Sequence, residues 1–256
     1  MLSEKSVIGL GIDMLSVIAS GSVPSGAGPA YDLAAVKILA PIPRPPKLIC
    51  AGLNYRDHAN EVKAKIPSVP TIFSKFSNIV IGPGEPIVLP KASQRPDYEA
   101  ELAFVIGRGG RHIPASRAME HVFGFTIYND MTARDLQLRE MQAHLGPAKG
   151  KDFDTGNVFG PCIVTRDEID PYDLTMTSRV NGEERGRGYS REMHHRWEDV
   201  IAYVSRSETL YAGEILGSGT VGNGCGLEHR RFLEPGSVVE LEISGIGKLR
   251  NRLVKP

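Results

Sequence analysis

Two glutamates stand two residues apart in the stretch PDYEAELAFVIG. On an extended strand, Glu99 and Glu101 project to the same side, with their Cα atoms about 6.5–7 Å apart. Beyond Glu101 both faces of the strand are apolar, which is typical of a strand covered on both sides. A carboxylate taken out of water needs a partner, and two at this spacing can converge on one hard divalent cation. The alternative is that the pair, together with Asp97, lies on a solvated edge.

A third carboxylate, Asp130, follows an apolar run at the point where a helix is predicted to begin. Side chains at the end of a strand often belong to sites. Arg134 and Gln137 follow Asp130 at spacings of four and seven residues, so the three share one helix face. Asp130 could equally be a simple N-cap. Arg134 could pair with Asp135 or Glu140.

The segment RDHANE is predicted to be helical, which places His58 and Glu61 three residues apart on one face. A carboxylate that orients an imidazole and stabilises its protonated form makes histidine a competent general base near neutral pH. The spacing alone favours an exposed His–Glu pair without a function.

Two further segments offer groups that could bind a small anion. Lys151 lies in a polar loop, where its ammonium could stabilise an oxyanion or enolate, although a surface ion pair with Asp152 is the alternative. The segment GSGTVGNGCG is rich in glycine but lacks the Lys-Ser/Thr ending of a phosphate loop, which argues against nucleotide binding. Its backbone amides and the Thr220 hydroxyl could instead hold a small carboxylate.

Composition excludes several classes of protein. The chain has 256 residues, 41% of them hydrophobic, which is enough for a sizeable core. Lys plus Arg and Asp plus Glu both number 30, a balance that argues against a nucleic-acid-binding protein or a basic protein of the membrane surface. Three separated cysteines without a CxxC pair are typical of reduced thiols. No run approaches the roughly 18 apolar residues that span a bilayer, so a cytoplasmic protein is expected.

The elements that must position these groups are mostly strands. Apolar runs punctuated by 28 glycines and 18 prolines predict a β-rich domain with many turns. Helices are predicted over MTARDLQLREMQ after an Asp130 N-cap, over WEDVIAYVSRSETLYAG ending at Gly213, and over RDHANEVKA. No βαβ alternation is visible, so the fold is expected to be α+β with a mixed, mostly antiparallel sheet core.

The start of the chain differs from the rest. Residues 1–45 contain two small-residue and proline-rich stretches, which predict a small N-terminal portion and linker ahead of a catalytic domain at residues 46–256. The segment VIGLGIDMLSVIA could pass for the apolar core of a signal peptide, but Asp13 interrupts it. It is expected to form a short β-hairpin, or a strand and a turn.

Six segments in collinear order resemble the fumarylacetoacetate hydrolase superfamily, in particular its acylpyruvase and 2-hydroxyhepta-2,4-diene-1,7-dioate isomerase-like branch. They are GLNYRDHANE, PDYEAELAFVIG, YNDMTARDLQ, GKDFDTGNVFGP, VNGE, and GSGT followed by LEPGSVVELEISGIG. Each segment alone is a modest signal, whereas the six together, from about Lys47 to Arg252, are specific.

The resemblance implies a mixed β-roll or sandwich core with flanking helices, a homodimer, and Mg²⁺ or Mn²⁺ as the cofactor. It also implies a role for each candidate residue, either as a metal ligand, as part of a water-activating His–Glu pair, or as a contact of a 2-oxo acid. The implied metal ligands are Glu99, Glu101 and Asp130, the implied pair is His58 and Glu61, and the implied contacts are Arg134, Gln137, Lys151 and Thr220.

The expected reaction is hydrolysis of a C–C bond in a 2,4-dioxo acid, such as an acylpyruvate or fumarylpyruvate, through an enolate that the metal and Lys151 stabilise. The closest alternative on the same site is decarboxylation of oxaloacetate or isomerisation of a 2-hydroxydienoate. A non-catalytic ligand-binding relative is the second alternative, and the presence of every expected ligand argues against it. The expected partners are a small-molecule substrate and a second copy of the chain, without nucleic acid or membrane.

Overall fold

The apolar runs of the sequence form strands that assemble mainly into two sheets. The computed structural model describes residues 5–22, 24, 28–144 and 146–256. Its strands are β1 (Ser6–Ile8), β2 (Ala30–Asp32), β3 (Leu48–Gly52), β4 (Thr71–Lys75), β5 (Val80–Ile81), β6 (Ile87–Val88), β7 (Pro96–Asp97), β8 (Ala100–Ile106), β9 (Val122–Asp130), β10 (Thr132–Ala133), β11 (Asn157–Thr165), β12 (Thr175–Val180), β13 (Glu183–Tyr189), β14 (Ile215–Gly217), β15 (Val238–Ile243) and β16 (Gly247–Val254). Its α-helices are α1 (Met14–Ser20), α2 (Arg56–Glu61), α3 (Arg134–Gln142), α4 (Ala148–Lys151) and α5 (Trp197–Val204). Short 3₁₀ helices cover Leu33–Ala35, Ser77–Ile79, Ala115–His121 and Ser190–Glu192.

The larger sheet has seven strands in the order β4-β3-β14-β8-β9-β11-β5, and the second has five in the order β13-β12-β15-β16-β6. Two small sheets pair β1 with β2 and β7 with β10. Neighbouring strands are antiparallel except for β3 with β14, β5 with β11 and β6 with β16. The predicted α+β fold with mostly antiparallel strands is therefore confirmed.

Strand β8 lies in the middle of the larger sheet and separates two apolar clusters. All seven of its residues are buried. Leu102 and Phe104 belong to the larger cluster, where Phe104 meets Trp197 edge-on with ring centroids 4.7 Å apart. Ala103 and Val105 belong to the smaller cluster. The predicted alternation of this strand is confirmed, and its burial on both faces excludes the alternative of a solvated edge.

The N-terminal segment contains a helix that the sequence had not indicated. Strand β1 is followed by helix α1 rather than by a second strand or a simple turn. Asp13 accepts a hydrogen bond from Ser16 N at 2.9 Å and so caps the helix, and Gly21 ends it with a φ of 72°. Ile18 of this helix packs in the smaller apolar cluster with Ile215 of β14.

Three predicted helix boundaries are wrong, and one of them is the end of α2, at Glu61 rather than at Ala64. Helix α5 ends at Val204 rather than near Gly213, because Ser207 adopts a left-handed φ of 59° that a helix cannot continue through. Asp130 is the last residue of β9 and not an N-cap, since α3 begins only at Arg134. None of the helices in the described ranges is long and apolar enough to cross a bilayer.

Candidate metal centre and active site

Three carboxylates converge where strands β8 and β9 pair. Glu99 immediately precedes β8, Glu101 lies within it, and Asp130 ends β9. Asp130 N donates a hydrogen bond to Glu99 O at 3.2 Å, which fixes the two strand ends side by side. One oxygen from each carboxylate lies within 4.8 Å of the other two, and all three residues are buried. The chain thus brings the predicted ligands together in an arrangement that suits a hard divalent cation.

Two buried ammonium groups lie among these carboxylates. Lys151 Nζ, on α4, is 2.7 Å from Glu99 Oε2 and 2.7 Å from Asp130 Oδ2. Lys75 Nζ, at the end of β4, forms an ion pair with Asp130 Oδ1. Burial disfavours the charge on Lys151, but Asp130 and Glu99 outweigh it and hold the pKa of Lys151 above its usual value. The surface ion pair considered for Lys151 is excluded, and Lys75 is a site residue that sequence reasoning missed.

The guanidinium of Arg134 links the cluster to a fourth carboxylate. Arg134 Nη1 is 2.6 Å from Glu99 Oε1, and Arg134 Nε is 2.8 Å from Asp97 Oδ2. Nη1 also donates to Gln137 Oε1 at 3.0 Å, so the two residues predicted to share a helix face are in contact. Asp97 in turn accepts from Gly226 N at 2.7 Å. Asp97 therefore positions Arg134, a role that the sequence had not indicated.

Among the described residues, the site contains more buried carboxyl groups than buried cationic groups. Burial disfavours the ionised form of Glu99, but Lys151 and Arg134 outweigh it and hold the pKa of Glu99 well below its usual value. Glu101 accepts from Gly219 N at 3.1 Å, and burial together with the two neighbouring carboxylates raises the pKa of Glu101 well above its usual range. Four buried carboxylates face three buried cations, so the excess falls on Glu101. A divalent cation would offset this excess, and the donor set therefore fits one.

Gly217 of β14 lies directly against Glu101. A Cβ at this position would stand 2.6 Å from Glu101 Oε2 and 3.0 Å from the Tyr128 ring. We expect Gly217→Ala to displace the Glu101 carboxylate and to weaken Mn²⁺ binding at least about tenfold, as measured by isothermal titration calorimetry. Gly52→Ala on the adjacent strand β3 is the matched control, because its Cβ would meet ordinary contacts at 3.9 Å. Equal Mn²⁺ affinity in the two variants would contradict the prediction.

His58, on helix α2, contacts a carboxylate that was not predicted. His58 Nδ1 is 2.6 Å from Glu228 Oε1. The Glu61 side chain hydrogen-bonds to Glu228 and accepts from Asn223 N at 3.1 Å. The direct contact expected between His58 and Glu61 is therefore replaced by a chain of three groups, because Glu228 occupies the position beside the imidazole.

The three hydrogen-bonded side chains, His58, Glu228 and Glu61, have shifted pKa values. Loss of hydration on burial raises the pKa of Glu61 and of Glu228 to about 7 each, so the two carboxyls share protons near neutral pH. Burial lowers the pKa of His58, which leaves the imidazole neutral and able to accept a proton at neutral pH. Glu228 was missed because it lies 170 residues from His58 along the chain.

The glycine-rich segment contacts carboxylates of the chain itself. Gly219 N donates to Glu101, and Gly226 N donates to Asp97. Thr220 is buried next to them. The predicted residues form one connected region: Glu99, Glu101, Asp130, Lys151, Arg134, Gln137, His58, Glu61 and Thr220.

Several known proteins are similar to this chain in sequence and structure. The family profile described as Fumarylacetoacetate (FAA) hydrolase C-terminal matches residues 47–254. The mitochondrial oxaloacetate tautomerase Fahd2a of Rattus norvegicus is 44% identical over 221 residues, which cover 86% of this chain and 70% of that protein. The oxaloacetate tautomerase YisK of Bacillus subtilis is 42% identical over 229 residues, covering 87% and 75%. The solved structure of 5-carboxymethyl-2-hydroxymuconate delta-isomerase from Mycobacterium smegmatis has a TM-score of 0.79 and 36% identity, covering 91% and 86%.

Proposed function

The chain belongs to the fumarylacetoacetate hydrolase family, and we propose that it is a metal-dependent tautomerase of a small 2-oxo acid, with oxaloacetate as the substrate. The two relatives described above are named oxaloacetate tautomerases, and the similar solved structure is named an isomerase. These names support the isomerisation alternative better than the C–C hydrolysis that the resemblance first suggested.

The observation that carries the proposal is the series of hydrogen-bonded side chains from His58 through Glu228 to Glu61, which lies beside the carboxylate cluster. Keto–enol tautomerisation breaks the C3–H bond of oxaloacetate and forms an O–H bond on the 2-oxo oxygen. The neutral imidazole of His58, held at Nδ1 by Glu228, would accept the proton from C3. The two carboxyls, with a pKa of about 7 each, would take this proton from the imidazolium and return it for the O–H bond on the 2-oxo oxygen, so that no net proton is gained or lost.

An anionic substrate also needs a donor that is not already engaged. Arg134 Nη2 is buried and has no hydrogen-bond partner among the described residues, whereas Nε and Nη1 are bound to carboxylates. A substrate carboxylate would accept from Nη2, while Gln137 holds the guanidinium in orientation. Thr220 would complete the carboxylate subsite.

Glu99, Glu101 and Asp130 would hold Mg²⁺ or Mn²⁺, whose Lewis acidity would favour negative charge on the 2-oxo oxygen. Lys151, placed among these carboxylates, would add positive charge next to that oxygen. Tautomerisation moves a proton and needs no activated water, whereas C–C hydrolysis at the same residues requires one.

The test is an assay of purified protein with Mg²⁺ or Mn²⁺ against oxaloacetate, in which the ultraviolet absorbance of the enol reports its conversion to the ketone. We expect His58→Gln to lower this rate at least about 100-fold, because the group that exchanges the proton at C3, in either direction, is lost. His229→Gln is the matched control, since His229 is exposed in the segment that contains Glu228.

Two parallel assays decide between this reaction and its alternatives. Acetylpyruvate and fumarylpyruvate are followed for C–C hydrolysis, and pyruvate release from oxaloacetate is followed for decarboxylation. Enol conversion should be the fastest of these reactions. Faster hydrolysis of either dioxo acid, or full enol conversion by His58→Gln, would refute the tautomerase proposal.

A further inference from the structure

A thiol completes a second group of metal-ligating atoms beside His58. One ligand atom each of His58, Cys225 and Glu228 lies within 4.8 Å of the other two. Cys225 and Glu228 are three residues apart, and Cys225 N donates to Glu228 Oε2 at 3.4 Å. His58 reaches them from α2, far away in the sequence. The reaction proposed above makes no use of the Cys225 thiol.

The donor types differ from those of the carboxylate cluster. A thiolate, an imidazole and a carboxylate together suit Zn²⁺, whereas carboxylates alone suit Mg²⁺ and Mn²⁺. A tetrahedral zinc ion with bonds of about 2.0–2.3 Å places its ligand atoms about 3.3–3.8 Å apart, so the group would have to contract by no more than about 1.5 Å. Glu228 would also turn away from its contact with His58.

One residue at the edge of this group is open to solvent. Glu61 is partly open to solvent although its carboxyl group hydrogen-bonds to Glu228, so it offers a fourth ligand and connects the group to solvent. Cys225 itself is fully buried, and the backbone of Cys225 bridges to Glu99 at the start of the central strand. Within the described part of the chain, neither Cys50 nor Cys162 belongs to a comparable group.

We propose that His58, Cys225 and Glu228 form a second, inhibitory metal site that binds Zn²⁺ or a similar thiophilic cation. On binding, the Cys225 thiol loses its proton to solvent and the imidazole lone pair of His58 is taken up by the ion. The inhibition rests on the proton-transfer role proposed for His58, whereas the binding does not.

The binding is tested with Co²⁺ as a spectroscopic substitute for zinc, in protein already saturated with Mg²⁺ at the carboxylate cluster. A bond from Co²⁺ to a thiolate produces a near-ultraviolet charge-transfer band. We expect this band in the unaltered protein and in Cys162→Ser, a matched control whose thiol lies elsewhere in the fold, but not in Cys225→Ser. Zn²⁺ should displace Co²⁺ and abolish the band, and Cys225→Ser should bind Zn²⁺ at least about tenfold more weakly.

Absence of the band from the unaltered protein, or its persistence in Cys225→Ser, would overturn the site. Should Cys225→Ser not fold, Glu228→Gln provides a second test, since it should weaken Co²⁺ binding at least about tenfold; unchanged binding would again overturn the site. If the band behaves as expected but Zn²⁺ leaves enol conversion unaffected, the metal site stands and the role of His58 is refuted.

Discussion

Replacing Glu101 with glutamine is expected to abolish divalent-metal binding and catalytic turnover together, while the metal-free protein becomes more stable. The Glu101 carboxylate is buried beside two other carboxylates, with Gly219 N as its one hydrogen-bond donor among the described residues. Glutamine keeps an oxygen for that donor and is neutral without taking up a proton. In the absence of metal, the free-energy cost of burying a carboxyl group beside two carboxylates therefore disappears. The same loss of charge removes a ligand that a divalent cation requires.

Thermal unfolding with and without Mn²⁺ measures both effects. In the unaltered protein, Mn²⁺ at about 100 times its dissociation constant should stabilise the fold by about 2.7 kcal/mol, and in Glu101→Gln this increment should vanish. Glu240→Gln, on strand β15 away from the cluster, is the control, and Mn²⁺ should stabilise this variant as much as the unaltered protein. A Glu101→Gln protein that is still stabilised by Mn²⁺ and still turns over substrate would remove Glu101 from the metal site.

Replacing Arg134 with methionine is expected to destabilise the fold by about 3–5 kcal/mol, which is a large part of the stability of an ordinary domain. Arg134 is buried and pairs with Asp97 and Glu99 at 2.8 and 2.6 Å. Methionine fills most of the volume but leaves two buried carboxylates with one partner fewer. The loss arises from the uncompensated charges more than from lost packing.

Urea unfolding measures this loss, and two further variants test its cause. Arg187→Met removes an exposed ion pair to Glu184 and should cost less than about 1 kcal/mol. Adding Asp97→Asn to Arg134→Met should restore part of the stability, because it removes the charge of one of the two carboxylates that lost the guanidinium. A double variant no more stable than Arg134→Met alone would contradict the electrostatic explanation.

The sequence was most informative where the signal is local. The alternation of strand β8 depends only on the two-residue period of a strand, so it placed Glu99 and Glu101 on one side. Asp130 could be added because a strand visibly ends there. The expectation that Lys151 contacts the 2-oxo acid came from the family resemblance, since its own segment fits a surface loop equally well.

The parts that could not be predicted depend on contacts between distant segments. Lys75 ends a strand whose other residues are mostly exposed, so nothing local marks it as a buried ion-pair partner. Glu228 acquires its role only when its turn folds against α2. Strand β14 spans three residues, too few to show a period, and it exists because β3 and β8 pair with it on either side.

The two buried lysines, Lys75 and Lys151, separate the assembly of the protein into two stages. Because they already balance most of the negative charge at the end of β8 and β9, the polypeptide can reach its folded state before any ion is taken up. Binding of the ion would then be an exchange of partners in a folded protein. The ammonium groups of Lys75 and Lys151 would separate from carboxylate oxygens, and these oxygens would bind the ion instead. An activity that depends on the ion would then be set by the supply of the ion, without refolding of the protein.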